Sequence, residues 1–206
     1  WLFEEIRKRS DIRIHALIRP RFGDFCYTDA EFSIIKKAVE DFRKIGAEGV
    51  VFGVLKPDGT LNMEQMKGLM EAAGDMSVTL HRAFDVCVDP LETMEQAISL
   101  GIDTILTSGQ RNTCLQGAKL LKELQDKSKG RITIQAGSGV SAEVIRKLYP
   151  LTGIKAYHMT GKRVIDSEMK FRKKGVNMGL PMFSEYEIWR TEADNIRAAK
   201  KVLEEL

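Results

Sequence analysis

The chain has 206 residues, 43% of them hydrophobic and 30% charged, and a formal net charge of +3 at pH 7. That is the composition of a folded globular domain rather than a disordered chain. A charge this small, carried on segments that also hold Glu and Asp, gives no basis for a nucleic-acid partner, and with no run of about 18 apolar residues no membrane span is expected.

Leu2, Phe3 and Ile6 fall at helical spacing in "WLFEEIRKRSD", which reads as the back half of a helix. "IRIHALI" (12–18) follows as a β-type run. Residues 28–46 open with a capping box, Thr28 and Glu31, place Phe32, Ile35, Val39 and Phe42 on one face, and stop at Gly46. "GVVFGVL" (49–55) is a strand, followed by a turn at "KPDGT" and a helix capped by Asn62. "SVTLHRA" (77–83) is a strand, and the next helix has Asp89 as cap, Pro90 in its first turn and Gly101 at its stop.

"DTILTSG" is a strand and "NTCLQGAKLLKELQDKS" a helix. "RITIQAGSGV" is a strand that runs into a glycine-rich turn before a helix capped by Ser141. "KAYHMTG" closes the series. A polar loop to about Phe183, a short strand "YEIW" and a final helix capped by Thr191 complete the chain. Six βα units without a linker indicate one domain, residues 1–206, with a parallel sheet.

Such a sheet is either open or closed. Val78 and Leu80, like Ile132 and Ile134, alternate with Thr79, His81, Thr133 and Gln135. Strands of a doubly wound sheet are buried on both faces and tend to be apolar throughout; barrel strands bring polar groups into the lumen near the mouth. No Gly-x-Gly-x-x-Gly follows the first strand. The fold class expected is therefore α/β of the TIM (β/α)8 type, with six of the eight strands in this chain and an N-terminal β-α-β missing.

Function in such barrels sits at the C-terminal ends of the strands. Those positions hold Arg19, Arg21 and Asp24; His81, Arg82 and Asp85; Ser108; Gly137 and Gly139; and His158 and Lys162. Arg19 and Arg21 either hold an anion or pair with Asp24 and Asp85 to pin loops. Backbone N–H groups at Gly137 and Gly139 suit a phosphate or carboxylate, although glycine turns also serve simply to enter a helix tightly. Ser108 and Lys162 complete the expected anion contacts.

His81 and His158 are candidates for general acid–base work or metal ligation, against the plainer reading of core histidines. Arg82 works beside His81, and Asp85 orients them or pins a loop. His15, earlier on its strand, is expected to be structural. The helically spaced Met63, Met66, Met70 and Met94 are expected in the core. Cys26, Cys87 and Cys114 lie far apart with no Cys-x-x-Cys pair, which suits a reducing cytoplasm and leaves the identity of any metal ligand unknown.

"IRPRFGDFCYTDAE", "GVVFGVLKPDGTLN", "VTLHRAFDVCVDP", "ILTSGQ" and "EMKFRKKGVNMG" together resemble the CutC family, named for copper homeostasis, from about Ile12 to the C-terminus. The resemblance implies a TIM-barrel-type fold, a cytoplasmic location and homo-oligomers. It also implies possible copper(I) binding through cysteines in segments that this chain lacks, since soft thiolates favour that ion. Two functions are carried forward: copper handling without catalysis, and an enzyme acting on a small anionic or phosphorylated metabolite at the barrel mouth.

Overall fold

The computed structural model describes residues 2–176 and 184–206. It begins with α1 (Leu2–Arg7) and β1 (His15–Leu17), then alternates α2 (Asp29–Lys44), β2 (Gly49–Phe52), α3 (Met63–Ala73) and β3 (Ser77–Leu80). A single 3-10 turn (Arg82–Val86) leads into α4 (Pro90–Ser99). The pattern resumes with β4 (Thr104–Thr107), α5 (Ala118–Ser128), β5 (Thr133–Ala136), α6 (Ala142–Thr152) and β6 (Ala156–Tyr157). An antiparallel hairpin, β7 (Lys162–Asp166) with β8 (Glu187–Thr191), precedes α7 (Ala193–Glu204).

The main sheet runs β1-β2-β3-β4-β5-β6, every neighbouring pair parallel. That order has no reversal, so right-handed crossovers place all the connecting helices on one face. An open doubly wound sheet reverses its order at a switch point and has helices on both sides. The six strands therefore form a curled half-barrel, with helices outside and a concave inner face.

Alternation sorts the side chains. Val50, Phe52, Val78, Leu80, Ile105 and Ile134 point outward into the helix layer, each 2% exposed or less, where they meet Ile35, Val39, Met66, Leu69, Met94, Leu121 and Leu124. Burying each such side chain contributes roughly 1.5–3 kcal/mol. At the sheet's lower edge two carboxylates fix the register. Glu48 accepts from Ile14 N and pairs with Arg7, and Asp103 Oδ2 accepts from Val78 N at 2.7 Å.

The caps at Thr28, Asn62, Asp89 and Ser141 form as the sequence indicates. Four local expectations are corrected. The first strand spans only His15–Leu17, because β1 is a sheet edge. Helix α5 starts at Ala118, since Gly117 packs its backbone onto Ser108 and Gly109 and cannot continue a regular helix upstream. The polar stretch after β6 is not one loop: Lys162–Asp166 pairs with Glu187–Thr191, so Lys162 opens a new strand. Thr191 ends that hairpin, its hydroxyl donating to Thr160 O, and Glu192 takes the N-cap position of α7. The last three residues of "EMKFRKKGVNMG" and the end of the expected loop at Phe183 lie outside the described residues.

Among the described residues no helix is long and apolar enough to cross a membrane.

Candidate functional site

The concave face holds a cavity of about 460 Å³ lined by His15, Leu17, Arg19, Phe25, Thr79, His81, Arg82, Gln135 and His158 among others. It adjoins a rim pocket of about 740 Å³ that shares Arg82, Leu106 and His158. The rim pocket continues over Gly139 and the start of α6 to Lys162 and Asn195. Among the described residues no carboxylate lines the inner cavity, whereas two guanidinium groups and three imidazoles do.

His15 is one of those three. Expected to be structural and deep, it is exposed on the inner face, its ring laid over Gly49, where an added Cβ would stand 2.6 Å from the imidazole. Gly53 makes the same room for His81, with an added Cβ 2.8 Å from Nδ1. Two glycines four residues apart on β2 and its extension thus seat two imidazoles from neighbouring strands.

His81 is 4% exposed and caps the 3-10 turn, its Nδ1 accepting from Ala83 N at 3.2 Å. Phe25 packs tilted against it, ring centroids 4.8 Å apart, and the Arg19 guanidinium sits 4.6 Å above the Phe25 ring. Burial drives the His81 pKa down from 6.5 to about 4, with Arg19 adding to the effect. The ring is neutral at pH 7 and acts there as a hydrogen-bonding group rather than a reservoir of protons. His158 is more exposed, and burial lowers its pKa as well.

Asp85 is the organiser of the mouth. Its Oδ1 accepts from Thr107 Oγ1 at 2.5 Å, Ser108 N at 2.9 Å and Gln110 N at 3.2 Å; its Oδ2 accepts from Arg82 Nε at 2.6 Å. Arg82 Nη2 donates onward to Ser108 Oγ at 3.1 Å. This network ties the 3-10 turn to the end of β4 and holds the Arg82 side chain between the two pockets. No donation from Arg82 Nη1 is recorded among the described residues.

The remaining expected anion contacts are engaged elsewhere. Arg21 donates from Nε to Glu31 and from its terminal nitrogens to Asp24 Oδ1 and to the carbonyls of Phe22, Asp24 and Cys26. It pins its own loop, which was the alternative reading of its sequence position. Ser108 is fully buried, with Oγ 2.5 Å from the Arg111 carbonyl and 3.0 Å from Asp85. Gly137 gives its N–H to Thr107 O, extending the ladder. Lys162 lines the rim pocket but holds its ammonium 3.5 Å above the Trp189 ring. Arg19, His81, Arg82, His158, Gly139 and Lys162 line the two pockets, with Arg19 Nη2 also donating to Gly23 O at 2.7 Å. Sequence reasoning missed Phe25, which spans Arg19 and His81, and undervalued His15. The signal for His15 was available, since His15, Leu17 and Arg19 alternate along one strand direction and share a face.

The CutC family model matches residues 1–163. A CutC protein of Bacteroides fragilis is 47% identical over 176 residues, covering 85% of this chain and 70% of the relative, and one from Bacteroides thetaiotaomicron is 42% identical over 192 residues, covering 93% and 75%. Among solved structures, a CutC of Streptococcus agalactiae named for copper homeostasis superposes with a TM-score of 0.71 at 28% identity, covering 76% of each chain. These matches agree with the curled parallel sheet and with the motifs at its strand ends. The chain belongs to the CutC family.

Proposed function

We propose that the concave face binds a small organic anion, with Arg82 and Arg19 as its charge partners and the imidazoles of His81 and His158 as polar contacts. The carrying observation is the lining that the described residues supply: two arginines, three histidines, Thr79 and Gln135, with no carboxylate among them. Cations held in a partly enclosed, low-dielectric cavity attract an anion more strongly than the same groups spread over a surface. Asp85, which would oppose the anion, is spent on backbone and hydroxyl donors behind the mouth. Gly139 and the first turn of α6 line the adjoining rim pocket, where the Glu143 carboxylate is paired with Lys147.

Calorimetric titration with inorganic phosphate and with acetate tests this reading. Saturable binding that weakens on Arg19→Ala and falls with added salt supports it. No binding, or binding indifferent to both arginine positions, ends it. A proton-transfer enzyme remains within this reading through His158, whose lowered pKa leaves it a neutral base near pH 7.

The name of the Streptococcus relative brings copper handling as a second reading. The donors described here do not fit a copper(I) centre. Cys87 and Cys114 are buried in the core on the segments before α4 and α5, Cys26 is half-buried in the loop after β1, and burial raises all three thiol pKa values, disfavouring the thiolate. Among the described residues no group of three His, Cys, Asp or Glu side chains is placed to hold a metal. Copper(I) titration against a competing chelator decides it, affinity no better than that of separate thiols counting against. Three unpaired thiols favour the cytoplasm.

A further inference from the structure

His81 presents one nitrogen that the protein leaves without a partner. Nδ1 is turned back onto the 3-10 turn, where it accepts the Ala83 N–H at 3.2 Å. A nitrogen that accepts carries no proton, so the neutral ring is the Nε2–H tautomer. The fixed geometry of the imidazole turns Nε2 away from Ala83, and His81 lines the inner cavity. Nε2 is buried and makes no hydrogen bond within the protein. Buried donors are nearly always paired, because leaving one unpaired costs the desolvation of that group.

The surroundings define the missing acceptor. Phe25 covers one side of the ring, and Gly53 leaves no side chain on the β2 side. Among the described residues no carboxylate or thiolate lines this cavity. The cations lining this cavity are the guanidinium of Arg19, stacked on Phe25 and donating to Gly23 O, and that of Arg82, fixed by Asp85. A ligand that places its charge on these arginines brings its adjoining atoms beside His81. A single neutral N–H in an apolar niche suits an uncharged oxygen, whereas a full charge there would lose its hydration for one weak contact.

We propose that the Nε2–H of His81 donates to a carbonyl or hydroxyl oxygen next to the ligand's anionic group, so that the site selects oxo- or hydroxy-substituted carboxylates or phosphate esters over bare anions. The inference rests on the anion-binding reading and narrows it to one ligand class. Its chemistry is the same whether the anion is a carboxylate or a phosphate ester.

The test titrates the full chain with two matched pairs: acetate against pyruvate, and methyl phosphate against dihydroxyacetone phosphate. The second member of each pair adds a carbonyl oxygen near the anionic part, and dihydroxyacetone phosphate adds a hydroxyl as well. The expected result is about tenfold tighter binding of the carbonyl member, the worth of one buried hydrogen bond, with a shift of the His81 Nε2 signal in nitrogen-15 NMR. His81→Gln keeps an amide donor and should retain part of the preference; His81→Phe should abolish it. The NMR measurement on the unaltered protein stands even if the variants fail to fold. Preference in one pair alone identifies the anion as carboxylate or phosphate. If both members of each pair bind equally and the Nε2 signal stays put, His81 meets only water and this inference falls while the anion reading stands. If none of the four binds, both fall together.

Discussion

On its outer face the sheet carries Val50, Phe52, Val78, Leu80, Ile105 and Ile134; on its inner face the alternate positions are His15, Leu17, Thr79, Leu106, Gln135 and His158. The same strands supply both sets. The outer set is sealed under helices and packs as one cluster, while the inner set faces a cavity and keeps polar groups that a core would not hold. A two-residue period thus separates what holds the half-barrel together from what it offers to a ligand. The separation has one deliberate breach at the mouth, where Asp85 and His81 are buried and polar at once.

The largest expected effect is on the outer face. Phe52 is 1% exposed on a central strand, and Phe52→Ala should cost about 3–5 kcal/mol through lost burial and the cavity left behind. Chemical denaturation checks it, with Leu17→Ala as the inner-face control. Leu17 is 64% exposed, so its truncation should barely move the midpoint. Equal losses at the two positions would break the division between faces.

Asp85 should come next. Asp85→Ala strands the N–H groups of Ser108 and Gln110 and the Thr107 hydroxyl, and releases Arg82. A loss of about 2–4 kcal/mol is expected from unsatisfied buried donors. Anion affinity should fall in the same variant because Arg82 is no longer held between the pockets. A variant that loses stability but binds phosphate unchanged would show that Asp85 serves only the fold.

The buried histidine gives the comparison a pH dependence. His81 has a folded pKa of about 4 against 6.5 when unfolded, so below pH 6.5 the unfolded chain binds the extra proton first. Its contribution is fully present above pH 6.5 and is lost as pH falls toward 4, on the order of 3 kcal/mol over that window. Stability measured against pH should drop through this range in the parent and less steeply in His81→Gln. Parallel curves would mean that the imidazole is hydrated in the folded state.

Much of this was legible in the sequence. The caps at Thr28, Asn62, Asp89 and Ser141 could be read directly, because capping is a local matter of side-chain oxygens and nearby N–H groups. Alternation along "SVTLH" and "RITIQ" was enough to favour a barrel-like sheet. The short strand at "YEIW" was readable and is β8, but its pairing with β7 was not, since the two strands meet only across a long separation and both are exposed. At the site, His81, Arg82 and Asp85 could be placed together because one short stretch holds them. The engagement of Arg21 with Glu31, and of Phe25 with both Arg19 and His81, depends on how a loop folds back, which no periodicity encodes.

The smallest effect gives the narrowest test, because it compares two adjacent residues. Ile134 is 2% exposed and points into the helix layer, while Gln135 lines the inner cavity and is only half-buried. Ile134→Ala should cost about 2–5 kcal/mol, and Gln135→Ala less than about 0.5 kcal/mol, since a half-buried side chain on an open face leaves no closed cavity. Ligand affinity should respond in the opposite order, unchanged at Ile134 and weakened at Gln135. If Gln135→Ala proves as costly as its neighbour, the inner face is packed in solution and cannot be the open site proposed for it.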